Sequence, residues 1–189
     1  RSLARDLDIV LYSPEEKIAL REPLAALRRS DILLVKTGEE KVRTVERLRS
    51  RWPGKIFSYA VFARGVSDLR TGERVSVESL AKMKLLAFCG IARPLRFAET
   101  LRQTGLKAVS FLPFPDHHPY PHVSLEKIIR AGRSQGADGL ITTGKDAVKI
   151  AGRVEELGDI PVYVLEIGLT VEPGFDLRWQ AFMKERRAV

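Results

Sequence analysis

All three histidines of the chain lie in one short segment, PFPDHHPYPHVS, which spans residues 113–124. They are His117, His118 and His122, with Asp116 and Tyr120 among them. A carboxylate next to a histidine can orient the imidazole and raise its basicity, which suits proton transfer near neutral pH. The four prolines of the segment favour extended backbone that is neither helix nor strand. We therefore predict a stiff functional loop that carries titratable groups.

Two other interpretations of these histidines have to be weighed. Together with Asp116 they supply enough ligands for zinc, but a structural zinc site normally draws on a second, distant ligand pair. The chain has one cysteine and no further histidine. We therefore predict no metal site, while histidines that only cap and pack stay an open alternative.

A second group of candidate residues lies in CGIARP, residues 89–94. Gly90 lets the backbone approach a ligand closely, and the N-terminus of a following helix offers free amide donors suited to phosphate. Arg93 adds a fork of donors. In the alternative interpretation Gly90 only makes the turn and Arg93 is solvated.

A third group lies in GLITTGKD, residues 139–146. The spacing of Gly139, Gly144 and Lys145 matches a phosphate-binding P-loop, but Asp146 stands where Ser or Thr should hold magnesium. The residues after Gly139 are strand formers, so this glycine is expected inside a strand and the segment is not a P-loop. Lys145 remains a candidate phosphate contact and Asp146 a candidate hydroxyl or amine contact, unless the pair only caps a helix.

Each of these groups follows a predicted strand and precedes a predicted helix. The apolar runs KLLAFC, LKAVSFL, GLITT and PVYVLEIGLTV are typical of buried strands, and helical patterns lie between them. This alternation predicts an open parallel α/β sheet. Because ligands bind beyond the carboxyl ends of such strands, we expect the three groups to face one rim.

The first part of the chain shows a similar but shorter alternation. Residues 7–12 and 31–36 are predicted strands of a parallel βαβ unit. Ser13 opens a capping-box helix, a second helix starts near Glu22, and residues 39–51 form an amphipathic helix with Val42, Val45 and Leu48 inward.

The pattern of residues 55–78 predicts an extended hairpin with its turn at Thr71 and Gly72. Residues 175–187 are predicted to form a final amphipathic helix. We therefore expect three segments, 1–54, 55–78 and 79–189. Because the chain begins without methionine and a strand follows almost at once, we also expect it to be a piece of a longer protein.

The composition restricts the class of protein without choosing a partner. The sequence is 44% hydrophobic and 30% charged, has a net charge of +8 and shows no spanning helix or signal peptide. Its single cysteine, Cys89, fits a reducing compartment. The positive charge favours anionic partners such as a phosphorylated small molecule, an acidic membrane surface or nucleic acid. In the alternative interpretation the basic residues only form a solvated surface.

Five segments together resemble the tetraacyldisaccharide 4'-kinases of Gram-negative bacteria: LARDLDIVLY, LREPLAALRRSD, AFCGIARPLRF, FPDHHPY and TTGKDAVK, within residues 3–150. The resemblance implies an ATP-dependent lipid kinase of lipid A biosynthesis, which uses Mg²⁺ and phosphorylates the 4'-hydroxyl of a tetraacylated disaccharide 1-phosphate. It also implies peripheral association with the cytoplasmic face of the inner membrane, and no nucleic acid is expected. The aromatic and basic tail around Trp179 and Phe182 is a candidate membrane contact.

The implied fold class is α/β: a C-terminal parallel-sheet α/β/α lobe preceded by the remnant of a P-loop-type α/β lobe and a two-stranded linker. The resemblance places catalytic roles on Asp116 and His117. The implied substrate or nucleotide contacts are Arg21, Gly90, Arg93, His118, Tyr120, Lys145 and Asp146.

Three departures from the family pattern limit these expectations. The P-loop and acidic segment that hold ATP and Mg²⁺ belong upstream of LARDLDIVLY, so we expect this chain to be inactive alone. YSPEEKIA replaces a glycine-rich stretch, and Gly144 replaces a glutamate. The alternative function is a non-enzymatic nucleotide- or phosphate-binding α/β module.

Overall fold

A computed structural model describes residues 7–13, 24–37, 42–51 and 56–187 of the chain. The chain divides into two compact units. The first is Arg1–Val61 with Leu169–Val189, and the second is Phe62–Gly168. These bounds differ from the three predicted segments because two long strands each run from one unit into the other. The predicted capping-box helix after Ser13 lies outside the described residues.

The strands and helices of the described residues alternate as expected for an α/β protein. The strands are β1 (Ile9–Tyr12), β2 (Ile32–Lys36), β3 (Ile56–Asp68), β4 (Arg74–Val75), β5 (Leu85–Cys89), β6 (Ala108–Pro113), β7 (Gly139–Thr143) and β8 (Val162–Val171). The α-helices are α1 (Val42–Arg51), α2 (Val77–Leu80), α3 (Pro94–Gln103), α4 (His122–Ser134), α5 (Gly144–Ile150) and α6 (Gly174–Arg187), with 3₁₀ segments at Leu24–Arg29 and Ala151–Leu157. The helix predicted near Glu22 is thus a 3₁₀ helix where it is described. No helix in the described ranges is long and apolar enough to cross a membrane.

The first unit is built on parallel strands. β2 pairs in parallel with β1 and with the first residues of β3. One face of β2 packs against Val45 of α1, and Leu48 lies partly buried beside it. On the opposite face, Phe57 contacts Phe175 of α6 edge to face, with ring centroids 5.7 Å apart.

A half-buried carboxylate ties the end of β8 to β3 in this unit. The Glu172 carboxylate accepts hydrogen bonds from the Ser58 backbone N–H at 2.8 Å and from the Ser58 hydroxyl at 2.6 Å. Arg49 of α1 also forms an ion pair with it. Burial alone would raise the pKa of Glu172, but these donors lower it. One charged group therefore links three elements.

The second unit contains the parallel sheet predicted from the alternating pattern. Its strands lie in the order β8, β7, β5, β6, and each neighbouring pair is parallel. β3 and β4 form an antiparallel hairpin whose turn includes Gly72 at φ 73°, at the predicted position. The predicted parallel-sheet α/β fold is confirmed.

The central strand β5 is buried on both faces, as expected for a strand covered by helices on each side. Leu85, Ala87 and Cys89 pack on the side of α3. Leu86 and Phe88 pack on the opposite side with residues of α4 and α5. The core therefore lies in two layers, one on each side of the sheet.

The strand order places the point where the connections change direction at the carboxyl ends of β5 and β7. These strands are neighbours, but β5 leads to β6 on one side and β7 leads to β8 on the other. Loops that leave adjacent strands in opposite directions open a site between them. The groups at Gly90 and Lys145 belong to the loops at this point, and the histidine segment follows the neighbouring strand β6.

Candidate functional site

The three groups predicted from the sequence meet at one end of the sheet of the second unit. They follow β5, β6 and β7, which are adjacent and parallel. The Gly90 N–H donates to Asp146 at 3.0 Å, and the His117 N–H donates to the Gly90 carbonyl at 3.1 Å. Gly90, after β5, thus links Asp146 of α5 to the segment 114–121, which we call the histidine loop.

Asp146 is the buried centre of this arrangement. Its side chain has no exposed surface. Its carboxylate accepts from the Gly90 N–H and from the Thr143 hydroxyl at 2.8 Å, and it pairs with Lys149 at 3.2 Å. Thr143 also caps α5 by accepting from the Asp146 N–H. The structure therefore gives Asp146 internal contacts, which differs from the predicted contact with a ligand.

Gly90 has no room for a side chain. A β-carbon there would lie 2.9 Å from the His118 β-carbon and 3.1 Å from both the Pro115 carbonyl oxygen and the Tyr120 hydroxyl. The group that approaches this glycine closely is therefore the histidine loop itself, where the sequence had suggested a ligand. Arg93, at the N-cap of α3, is half-buried.

The histidine loop holds two residues in an unusual backbone conformation. His117 has φ 60° and Tyr120 has φ 53°, both in the left-handed region that residues other than glycine seldom adopt. Each such residue costs about 1–3 kcal/mol and persists only where its surroundings fix it. Strain of this kind concentrates at functional sites.

The side chains of His118 and Tyr120 face the protein and anchor the loop. His118 hydrogen-bonds through Nε2 to Ser124 at 2.8 Å and stacks on Phe114 with centroids 4.6 Å apart. Burial and the neighbouring Lys149 lower the pKa of His118. Tyr120 is fully buried, and burial followed by the Asp146 carboxylate raises the pKa of its hydroxyl. That hydroxyl has no hydrogen-bond partner among the residues that the structure describes.

Asp116 and His117 face solvent at the rim. The His117 imidazole, 75% exposed, has Nε2 3.7 Å from Asp116 Oδ2, and Lys145 donates to Asp116 Oδ1 at 3.2 Å. Limited desolvation would raise the pKa of Asp116, but the hydrogen bond from Lys145 and the charge of His117 lower it. The rim therefore presents an anionic carboxylate between an imidazole and an ammonium group, which fits contact with a hydroxyl and a phosphate.

His122 belongs to an ion-pair network with Glu156 and Arg153 that Arg153 connects to the backbone of the loop. It begins α4, and its Nδ1 lies 2.8 Å from Glu156 while its Nε2 lies 3.4 Å from Glu126. Hydrogen bonds from Arg153 and then from His122 lower the pKa of Glu156 to about 2. The interpretation of a histidine that only caps and packs fits His122.

Two basic residues that the sequence analysis missed hold the backbone of the loop. Lys149 donates to the His118 carbonyl at 3.0 Å, and Arg153 donates to the Tyr120 carbonyl at 2.9 Å. The spacing of Asp146 and Lys149, three residues apart in a helix, could have indicated their pairing. Nothing local in the sequence could have indicated the carbonyl partners.

The site residues do not suit a magnesium ion. Mg²⁺ prefers oxygen ligands in near-octahedral geometry. The Asp146 oxygens already bind protein donors, and Asp116 is paired with Lys145. Among the described ranges, no group of three or more His, Cys, Asp or Glu side chains could hold a metal ion. Arg21, a further predicted contact, lies outside those ranges.

Comparisons with known proteins give a consistent set of relatives. The family model described as tetraacyldisaccharide-1-P 4'-kinase matches residues 1–184. The tetraacyldisaccharide 4'-kinase of Koribacter versatilis is 36% identical over 176 residues, which are 89% of this chain and 49% of that protein. The enzyme of that name from Geobacter metallireducens is 35% identical over 178 residues, 88% of this chain and 51% of that protein. The chain thus spans about half the length of the curated relatives that it matches.

A solved structure shares the fold. LpxK from Aquifex aeolicus, crystallised in complex with ATP, aligns with a TM-score of 0.62 and 24% identity. The alignment covers 95% of this chain and 53% of that one. The α/β architecture described above is therefore that of a known fold.

Proposed function

The chain belongs to the tetraacyldisaccharide 4'-kinase family, and we propose that the protein containing it transfers the γ-phosphate of ATP to the 4'-hydroxyl of the lipid A disaccharide 1-phosphate precursor. The observation that carries this proposal is the group formed by Asp116, His117 and Lys145. It is exposed at the carboxyl end of an α/β sheet, on a loop anchored through His118 and the buried Tyr120. Such a group can meet a hydroxyl and a phosphate together.

The proposed chemistry assigns a separate task to each of these side chains. The Asp116 carboxylate orients the imidazole, and His117 helps to withdraw the proton of the acceptor hydroxyl as its oxygen attacks the γ-phosphorus and the bond from that phosphorus to the departing ADP breaks. The Lys145 ammonium favours negative charge on the phosphate that approaches the rim. ATP supplies the phosphoryl group, and we assign the main contacts of ATP and Mg²⁺ to parts of the protein outside the described residues.

The other predicted contacts divide into two sets under this proposal. Gly90, Asp146, His118 and Tyr120 act by holding the histidine loop, because their polar atoms face the protein interior or one another. Arg93 remains a proposed phosphate contact at the start of α3.

Contact with the inner-membrane surface is a further part of the proposal, and α6 is its candidate. Leu177, Trp179 and Met183 are exposed large apolar residues on this helix, beside the exposed cations Arg178 and Lys184. Aromatic and basic residues together suit the interface of an anionic membrane. Trp179→Ser should weaken co-sedimentation with anionic phospholipid vesicles.

The matched control for that measurement is Leu95→Ser on α3, since Leu95 is also exposed. It should bind vesicles as the wild type does. Equal binding by the wild type and Trp179→Ser would contradict the assignment of α6.

The test of the catalytic proposal is transfer of radiolabelled γ-phosphate from ATP to the disaccharide 1-phosphate by the complete gene product. We expect a labelled bisphosphate whose formation needs both the enzyme and the 4'-hydroxyl. Binding of ATP without transfer would instead support the non-enzymatic phosphate-binding module.

A further inference from the structure

We infer that Lys149 is a positioning residue for the proposed reaction, which fixes the Asp116–His117 pair by clamping the backbone of the histidine loop to the buried Asp146. This inference rests on the proposed function, since it concerns the geometry of the same site. The Lys149 side chain is 23% exposed, against 46% for the side chain of Lys145 at the rim.

The first step is the strain in the loop. The His118 carbonyl lies between the two left-handed residues, His117 and Tyr120. A free chain would relax each of them toward the extended or right-handed regions. Relaxation of His117 would move its imidazole and the neighbouring Asp116, because both side chains are carried by this short stretch of backbone.

The second step is the clamp itself. The Lys149 ammonium donates to the His118 carbonyl at 3.0 Å and to Asp146 Oδ1 at 3.2 Å, and it lies 5.6 Å from the centroid of the Tyr120 ring. A lysine ammonium has three donors and no acceptor, so one group can serve both oxygens. The loop backbone is thereby tied to a carboxylate that cannot itself move.

The third step is why Asp146 is a fixed point. Its carboxylate is fully buried and also holds the Gly90 N–H and the Thr143 hydroxyl, at the ends of β5 and β7. A buried charge needs both pairing and hydrogen bonds to be tolerated. Lys149 supplies the pairing charge, so its loss affects the loop and the fixed point together.

The loop also has a second brace, which keeps the effect of losing Lys149 partial. Arg153 donates to the Tyr120 carbonyl and pairs with Glu156. We therefore expect a variant without the Lys149 ammonium to fold, with the loop displaced by a small distance. Displacement of about 1 Å at a catalytic group lowers turnover by roughly 100-fold.

The experiment uses the complete gene product and steady-state phosphorylation of the disaccharide. Lys149→Met keeps the apolar stem and removes the charge, and we expect kcat to fall about 10- to 100-fold with the KM for ATP nearly unchanged. Lys149→Arg keeps a charged donor and should recover most of the turnover. The matched control is Lys107→Met, an exposed lysine before β6, which should behave as the wild type does.

A double-mutant cycle separates positioning from general loss of structure. If Lys149 acts through His117, adding Lys149→Met to His117→Ala should lower kcat no further, because coupled residues are not additive. The His117 N–H, bonded to Gly90, should exchange with solvent faster in Lys149→Met than in the wild type. If Lys149→Met does not fold, Lys149→Gln replaces it in the same comparison.

Two results would overturn the inference: wild-type kcat in Lys149→Met while His117→Ala is inactive, or fully multiplicative losses in the double variant. Wild-type turnover in His117→Ala would instead contradict the proposed role of His117. The failure of the inference and the failure of the proposed function are therefore distinguishable.

Discussion

Replacing Gly90 with alanine would place a methyl group where the histidine loop now packs. The added β-carbon would lie 2.9 Å from the His118 β-carbon and 3.1 Å from the Pro115 carbonyl oxygen. Neither neighbour is the end of a flexible side chain. The loop must therefore move away from β5, and Asp116 and His117 must move with it.

The size of the effect follows from two opposing contributions. Overpacking of a well-packed site costs about 1–3 kcal/mol. A Gly→Ala change returns about 0.4–1 kcal/mol by restricting the unfolded chain. The free energy of unfolding should therefore fall by about 1–2 kcal/mol, which lowers Tm by roughly 2–8 °C in a domain of this size.

The assay is thermal unfolding of Gly90→Ala beside a matched variant, Gly152→Ala. An added β-carbon at Gly152 meets no atom within 4 Å, so this second variant should have an unchanged or higher Tm. Phosphorylation by Gly90→Ala should fall more than its Tm alone explains, since the displaced loop carries the proposed catalytic pair.

A Gly90→Ala variant with the Tm of Gly152→Ala would refute this reasoning. It would mean that the loop adapts without cost, and that close packing at Gly90 does not fix the position of the histidine loop.

Three further predictions concern other parts of the molecule. The pKa of Glu156 is lowered from 4.5 to about 2, so this carboxylate stabilises the fold above pH 4.5 and the stabilisation is lost as the pH falls toward about 2. Glu156→Gln should lack this pH-dependent part of the stability in acid unfolding followed by circular dichroism. Cys89 is fully buried, and burial followed by the Asp146 carboxylate raises its pKa to about 11, so iodoacetamide at pH 8 should label it only after denaturation. Glu172→Ala leaves the Ser58 donors without their acceptor and should lower the free energy of unfolding by about 1–3 kcal/mol in urea titrations, whereas an unchanged midpoint would contradict this.

The elements that support the site follow from local patterns in the sequence. β7 has the predicted bounds, because the strand formers of GLITT end where α5 begins at Gly144. α4 begins at His122, directly after the last proline of the loop, where the helix can start without losing a hydrogen bond. The segments after β5, β6 and β7 meet at one rim because the carboxyl ends of parallel strands lie at the same edge of a sheet.

The direction in which each polar side chain points could not be predicted in the same way. Asp146 at a helix start suits a ligand as well as an internal partner, and only the position of β5 beside β7 brings the Gly90 N–H to it. His122 pairs with Glu156, which lies 34 residues later in the chain. These pairings depend on tertiary packing, which hydrophobic periodicity does not encode.

The bounds of the compact units have a similar physical cause. β8 continues beyond the core of the second unit, so Leu169–Val189 belong with the first. The sequence pattern predicts a strand and a helix there. It contains no signal for the unit in which they lie.

The most direct test of the account is the rate of γ-phosphate transfer to the disaccharide 1-phosphate by the complete gene product and its His117→Ala and Asp116→Asn variants. The account predicts a wild-type enzyme that forms the 4'-phosphorylated product, with kcat at least about 100-fold lower in His117→Ala at an unchanged Tm. Turnover at the wild-type rate in both variants would contradict the claim that the rim of the histidine loop carries the chemistry.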